Sequence, residues 1–92
     1  MKVYIVEMSG MCGGSRRYGV YSNIESARNK LKEIFEEAKE RASKCNYIYN
    51  VGWHEFIKDS FYVQYGLKEY DEITEVEVYE ITEVEVEDGN NQ

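Results

Sequence analysis

Apolar residues recur every three or four positions through one long segment in the first half of the chain. From Ser22 to about Lys44 this spacing is that of an amphipathic helix with one buried stripe. The stripe consists of Ile24, Ala27, Leu31, Ile34, Phe35, Ala38, Ala42 and Cys45. Ser22 and Glu25 have the spacing of a capping box, and Asn23 is the alternative cap. The pattern therefore predicts one long helix, with Phe35 among its buried residues.

Shorter segments that alternate between polar and apolar residues predict strands on either side of this helix. The candidates are Lys2–Met8, Tyr18–Tyr21 and Phe61–Tyr65. The first two are separated by the glycine-containing segment Ser9–Arg17, which indicates a hairpin loop. The aromatic segment Trp53–Asp59 favours a second, short helix.

The end of the chain contains an internal repeat with strict period-two alternation. Residues 72–78 (EITEVEV) are copied as residues 80–86, with Tyr79 between the copies. No turn residue separates the copies, so they predict one strand of roughly 14 residues, about 46 Å long. One face of this strand carries Thr74, Val76, Val78, Thr82, Val84 and Val86. The other face carries Glu75, Glu77, Glu83 and Glu85 together with Ile73, Tyr79 and Ile81.

These elements predict an α+β fold. We expect a small, mainly antiparallel sheet of three to four strands with the long helix packed on one face, in the order β-hairpin–α–β–β. Residues 1–88 form one domain in this interpretation, and residues 89–92 are a frayed C-terminal tail. A chain of 92 residues is long enough for one such core.

Charge is distributed unevenly along the chain, whose formal net charge is -7. Residues 1–68 hold eleven Lys and Arg against eight acidic residues, whereas residues 69–92 hold ten acidic residues and no Lys or Arg. An acidic segment of this kind repels nucleic acid and favours a protein partner with a basic surface. No stretch approaches the roughly 18 apolar residues of a membrane span, so we expect a cytoplasmic protein without membrane contact.

Candidate chemistry is sparse, and we expect no catalytic residues, no metal and no cofactor. Two Cys and one His fall short of the four ligands of a structural zinc site. Cys12 with His54 is the enzyme alternative, which requires the two side chains to meet in the fold. The loop Ser9–Arg17 is the anion-binding alternative, because glycine-rich backbone can cradle an anion, although it lacks the phosphate-loop pattern.

Three stretches of the chain resemble a family of short phage and mobile-element proteins of Gram-positive bacteria. They are the opening Met-Lys-Val-Tyr-Ile-Val, the Tyr-Gly-Val-Tyr-Ser before the helix start Ile-Glu-Ser-Ala, and the closing Ile-Thr-Glu-Val-Glu-Val. The resemblance implies an inhibitor of a host nucleic-acid-binding defence protein, in the manner of anti-CRISPR proteins. It carries no catalytic residues that transfer to this chain.

Two functional hypotheses follow for the repeat strand. In the first, it presents a row of solvated glutamates about 6.6 Å apart to a basic groove of the partner. The partner-binding residues would be Glu75, Glu77, Glu83 and Glu85, with Tyr79 and Trp53. In the second, the shorter strands leave its second half unpaired, and two copies form a homodimer. The dimerisation residues would be Thr82, Val84 and Val86.

Overall fold

The chain folds as two antiparallel hairpins joined by one helix and completed by a long final strand. A computed structural model describes residues 1–10 and 14–87. Its elements in chain order are β1 (Lys2–Gly10), β2 (Ser15–Tyr21), α1 (Ile24–Lys44), β3 (Ile48–Trp53), β4 (Ser60–Leu67), a 3₁₀ turn (Lys68–Tyr70) and β5 (Glu72–Glu85). The α+β class is confirmed, and so is the single strand of 14 residues at the end of the chain. The predicted tail at residues 89–92 lies outside the described residues.

The sheet has five strands, so the prediction of three to four strands is wrong. Its order is β2-β1-β5-β4-β3, and every neighbouring pair is antiparallel. β5 therefore occupies the centre, where β1 pairs with its second half and β4 with its first half. Because β2 and β3 lie at opposite edges, the helix that connects them must cross the whole width of the sheet.

The missed strand is β3, which precedes the predicted short helix Trp53–Asp59 and overlaps it only at Trp53. A register shift between Ile48 and Asn50 adds one residue to β3 opposite β4. Consequently Ile48 and Val51 both face the core although they are three residues apart, and the bulge hides the period-two pattern of a strand. The predicted short helix at Trp53–Asp59 is replaced by the end of β3 and the loop that follows it.

The helix begins one residue later than the capping box of Ser22 and Glu25 suggests. Asn23 is the N-cap, and its Oδ1 accepts a hydrogen bond of 2.8 Å from the backbone N–H of Ser26. The capping box of Ser22 and Glu25 does not form, because Glu25 instead pairs with Arg28 at 2.9 Å. The helix ends at Lys44, within the predicted range.

The core lies between α1 and one face of the sheet. The helix contributes four buried residues, Ala27, Leu31, Ile34 and Ala38. They pack with the buried strand residues Val6, Ile48, Val51, Phe61, Val63 and Tyr79. Phe35 is only half-buried, stacked on Trp53 with ring centroids 4.6 Å apart, so its predicted full burial is wrong. One helix covers one face only, which leaves the opposite face of the sheet open to a partner.

Candidate functional site

The face of the sheet opposite α1, here called the open face, is largely aliphatic. Side chains alternate between the two faces of each strand, so the neighbours of the core residues point to this side. Its apolar members are Val3, Ile5, Val20, Tyr62, Val76, Val78 and Val84. In the described residues no second layer covers them. Contiguous apolar surface of this kind marks interaction sites more often than chance exposure.

Two carboxylates lie opposite each other at the centre of the open face. Glu7 of β1 is the direct cross-strand partner of Glu80 of β5, and both residues are half-buried. Thr82 Oγ1 donates a hydrogen bond of 2.6 Å to Glu7 Oε1. Like charges directly opposite each other destabilise a sheet. Among the ion pairs of the described residues, none includes Glu7 or Glu80.

The polar row through Glu7 and Glu80 continues to both edges of the sheet. Arg17 on β2 is the cross-strand partner of Glu7, and Ser60 on β4 is the partner of Glu80. His54 follows β3, and its Nδ1 lies 2.8 Å from Ser60 Oγ. This contact gives His54 a structural role at the strand end. Cys12, its partner in the enzyme alternative, lies outside the described residues.

The loop between β3 and β4 presents an apolar tip on a fixed base. Phe56 is 95% exposed and Ile57 is 56% exposed. The base of the loop is held by Arg28, whose Nε donates to both carboxylate oxygens of Asp59 at 3.0 and 3.1 Å. Asp59 adopts a left-handed backbone conformation with φ 57°, which turns the chain into β4. The sequence pattern suggested a short helix with Trp53, Phe56 and Ile57 on one side, whereas the structure has a loop after Trp53.

The four predicted partner-binding glutamates lie on the helix side of the sheet and do not form one solvated row. Tyr79, which is only 3% exposed, and the half-buried Ile81 divide them into two pairs. Glu75 and Glu77 are both half-buried, so the expectation that all four are solvated is wrong for these two. Glu83 pairs with Lys2 at 3.4 Å.

The other predicted residues occupy varied positions. Glu85 pairs with the N-terminal amine of Met1 at 3.1 Å. Trp53 is 41% exposed at the β3 edge. Tyr79 has almost no surface to offer to a partner. Its assignment and that of Trp53 as partner-binding residues stay predictions.

The structural reason given for a homodimer is not met. The second half of β5 was expected to lack neighbours, but it pairs with β1 from Lys2 opposite Glu85 to Gly10 opposite Glu77. Val84 lies opposite Val3 on the open face, and the Val86 amide donates a hydrogen bond of 2.7 Å to the Met1 carbonyl. Dimerisation through Thr82, Val84 and Val86 therefore stays a prediction without its original motive.

A polar cleft lies between the second half of α1 and the sheet, and we call it the tyrosine cleft. It encloses about 350 Å³. At its floor, Glu77 Oε1 accepts hydrogen bonds from the hydroxyls of Tyr65 at 2.6 Å and Tyr79 at 3.0 Å. Burial, followed by the hydrogen bond to Glu77, raises the pKa of Tyr65 to about 12. Burial and the nearby Glu77 charge also raise the pKa of Tyr79.

Arginines from two elements line the walls of the tyrosine cleft. Arg16 on β2 has its guanidinium carbon 5.1 Å from the centre of the Tyr18 ring. Arg41 on α1 approaches the phenol groups at the floor. Partial burial opposes the charge of Arg41, but Tyr65 and Tyr79 outweigh it and raise the pKa of the guanidinium. Arg16 was expected in the hairpin loop Ser9–Arg17, for which anion binding was the alternative. Residues 15–17 instead belong to β2, and residues 11–13 lie outside the described residues.

Comparison with protein-family models, curated proteins and solved structures finds no match to this chain. The resemblance to short phage proteins therefore stays a prediction. Within residues 1–10 and 14–87, no helix is long and apolar enough to span a membrane. The same residues contain no group of three or more His, Cys, Asp or Glu arranged to hold a metal ion.

Proposed function

We propose that this protein is a protein-binding module, and that its partner docks on the open face and presents Lys or Arg to Glu7 and Glu80. The observation that carries the proposal is a pair of carboxylates at the centre of a largely aliphatic surface, neither of which forms an ion pair among the described residues. A cation placed between the two carboxylates removes their mutual repulsion. The surrounding aliphatic residues exclude water, which strengthens the charge interaction.

The open face is wide enough for an ordinary protein interface. Four inter-strand steps of about 4.8 Å separate the edge strands by roughly 19 Å. A standard interface buries about 800 Å² on each partner. The exposed Phe56 and Ile57 lie in the loop between β3 and β4, at the end of the sheet where Ser60 and His54 close the polar row. They are a second candidate anchor, separate from the open face, because the adjoining Lys58 and Asp59 lie with residues of the helix side.

Charge favours a basic partner over a second copy of this chain. The net charge of -7 attracts a basic protein at long range and makes the association faster at low salt. Two copies packed through their open faces would bring four glutamates together without a matching cation beyond Arg17. Charge repulsion therefore disfavours a homodimer of this kind, whereas it does not disfavour a complex with a basic partner.

A nucleic-acid-binding protein is the partner class that we propose to test first. Such proteins carry exposed Lys and Arg with which they bind phosphates. An acidic protein that occupies this surface excludes nucleic acid from it. This class agrees with the proposed role as an inhibitor of a host defence protein, in the manner of anti-CRISPR proteins, and it rests on charge and on the sequence resemblance.

The test compares two double variants that change the net charge equally. Glu7→Gln with Glu80→Gln alters the open face, and Glu83→Gln with Glu85→Gln alters the end of the glutamate row. The captured partner is identified from host lysate and purified, and its Kd for each variant is measured at low and high salt. We expect the open-face variant to bind about tenfold or more weakly, because buried charge pairs contribute more than exposed ones.

Each outcome separates the proposals. If the Glu83 and Glu85 variant loses binding and the open-face variant keeps it, the partner uses the glutamate row as the sequence predicted. If Phe56→Ser abolishes binding while both glutamate variants keep it, the loop tip is the interface and the charge pair is not. If the unaltered chain sediments as a dimer, that result favours self-association instead.

A further inference from the structure

The tyrosine cleft has features of a small-ligand site that are independent of the open face. Its two arginines lack carboxylate partners: among the described residues, no ion pair includes Arg16 or Arg41. This is unexpected for Arg41, which follows Glu37 at the i,i+4 spacing that favours a pair on a helix. Arg41 instead lines the tyrosine cleft together with Tyr65 and Tyr79.

The hydrogen bonds at the floor of the tyrosine cleft determine which of its groups remain free to donate a hydrogen bond to a ligand. Tyr65 and Tyr79 each use their hydroxyl proton on the same oxygen of Glu77. Their phenol oxygens can therefore only accept hydrogen bonds on the side that faces Arg41. The negative charge of Glu77 is bound by the tyrosines, and the donors that remain free toward the cleft are those of the arginines.

We propose that the tyrosine cleft binds a small organic anion, whose carboxylate or phosphate group lies between Arg16 and Arg41. A guanidinium matches either group through two parallel N–H donors. The volume of about 350 Å³ lies at the lower end of the range of ligand pockets, which suits a small molecule. The Tyr18 ring, which Arg16 already covers, offers an apolar wall for the body of the ligand.

Glu37 at the rim restricts which anions fit. It lines the same cleft as the two arginines, so the fixed charges of Arg16, Arg41, Glu37 and Glu77 sum to zero. A compact dianion would be repelled by Glu37 on one side while it is attracted on the other. The cleft therefore favours a ligand with one oxyanion group and a neutral body over inorganic phosphate.

The proposed ligand site and the proposed partner site lie on opposite faces of the sheet. The arginines and Glu37 belong to the helix side, whereas Glu7 and Glu80 belong to the open face. Variants of one site should leave the other intact. A failure of the ligand proposal can therefore be told apart from a failure of the proposed protein-binding function.

The experiment is an NMR titration of the isotope-labelled full chain with phenyl phosphate, benzoate and inorganic phosphate, and with benzyl alcohol as the uncharged probe. We expect benzoate, whose oxyanion group carries one negative charge, to shift the amides around Arg16, Arg41 and Glu77. Phenyl phosphate, which is largely a dianion at neutral pH, should shift them less. Inorganic phosphate should bind more weakly and benzyl alcohol should not bind. Arg16→Gln and Arg41→Gln should each weaken binding about tenfold or more, as expected for loss of a charged hydrogen bond.

Lys44→Gln is the matched control, because it removes one positive charge from the same helix at a residue that pairs with Glu40 outside the cleft. It should bind the probes like the unaltered chain, and Arg41→Lys should bind with intermediate affinity. Both arginines are exposed, so their variants should keep the fold, which the dispersion of the spectrum verifies. The proposal is overturned if no oxyanion probe shifts the cleft amides, if the arginine variants bind normally, or if benzyl alcohol binds equally well.

Discussion

The two copies of the repeat have the same seven residues but occupy different environments in β5. Residues 72–78 pair mainly with β4, whereas residues 80–86 pair mainly with β1. Ile81 of the second copy packs against the core, but its equivalent Ile73 in the first copy is 45% exposed. Ile81 lies in regular pairing opposite the buried Val6, whereas Ile73 lies beyond a register shift that breaks its alternation with Glu75.

The polar residues of the two copies also differ, with the first copy more buried at the glutamate and the second copy more buried at the threonine. Glu77 of the first copy is half-buried and holds two tyrosine hydroxyls, whereas its equivalent Glu85 is exposed and pairs with the chain terminus. Thr82 donates to Glu7 across the sheet, whereas Thr74 is exposed beside a register shift in the β4–β5 pairing. Identical sequence therefore acquires different roles from its cross-strand neighbours, and equivalent substitutions should have unequal effects.

Removal of the second copy should have the largest effect. A chain that ends at Tyr79 lacks the pairing of β1 from Lys2 to Glu7 with β5 and the core contact of Ile81. These interactions join the N-terminal hairpin to the rest of the sheet, so we expect loss of cooperative unfolding in a thermal melt. A chain that ends at Glu87 keeps all of β5 and is the control. A folded monomer from the shorter chain would show that the second copy is an assembly segment, as the homodimer hypothesis requires.

Substitution of the equivalent isoleucines should give the next largest difference. Ile81→Ala removes a side chain packed on the core and should lower the free energy of unfolding by about 2 kcal/mol, below the range for complete burial. Ile73→Ala should change it by less than about 0.5 kcal/mol, as is usual for surface positions. Denaturant unfolding of both variants measures the difference. Equal losses of unfolding free energy would mean that Ile73 and Ile81 contribute equally to the core.

The sequence predicted the elements whose periodicity is regular. The helix stripe and the 14-residue strand were both recognised, since Leu31, Ile34 and Ala38 follow the helical period and residues 72–86 alternate strictly. β3 was missed because its bulge at Tyr49 breaks the alternation. Phe35 was assigned too much burial, since periodicity gives the face of a helix but not how far the next layer extends.

The candidate sites depend on cross-strand register, which the sequence did not supply. Glu7 and Glu80 are 73 positions apart in the chain, and only the β1–β5 register makes them neighbours. The tyrosine cleft likewise draws Arg16, Arg41 and Tyr65 from three elements. The glutamates of the repeat were visible as a row, but which face α1 covers could not be derived from β5 alone. Tyr79 and Ile81, the two bulky residues on that face, were the available signal.

Substitution of the equivalent glutamates in the two copies should give a moderate difference in the free energy of unfolding. Glu77→Gln replaces a carboxylate that accepts from two tyrosines, and loss of such charged hydrogen bonds should cost about 1–3 kcal/mol of unfolding free energy. Glu85→Gln removes only an exposed pair with the N-terminus, for which about 0–1 kcal/mol is typical. Denaturant unfolding at neutral pH compares them. If Glu85→Gln is the more destabilising, the tyrosine network does not contribute as the geometry indicates.

Alkaline titration should show the smallest difference between the equivalent glutamates Glu77 and Glu85, through their effect on the tyrosine pKa values. The pKa of Tyr65 is raised to about 12 in the folded chain, compared with about 10 for a free tyrosine. A raised tyrosine pKa means that the fold favours the neutral phenol, so this stabilisation is complete below pH 10 and is lost as the pH rises toward 12. Absorbance near the phenolate band should therefore show that Tyr65 and Tyr79 ionise after an unperturbed tyrosine would.

Glu77→Gln should lower the pKa of Tyr65 toward its ordinary value, because the hydrogen bond and the charge of Glu77 both raise it. The pKa should stay above that of a free tyrosine, since burial is the larger cause and does not depend on Glu77. Glu85→Gln should leave the titration unchanged, since Glu85 lies among the N-terminal residues rather than at the cleft floor. An unchanged Tyr65 titration in Glu77→Gln would show that burial alone raises the pKa, and that Glu77 does not organise the floor of the tyrosine cleft.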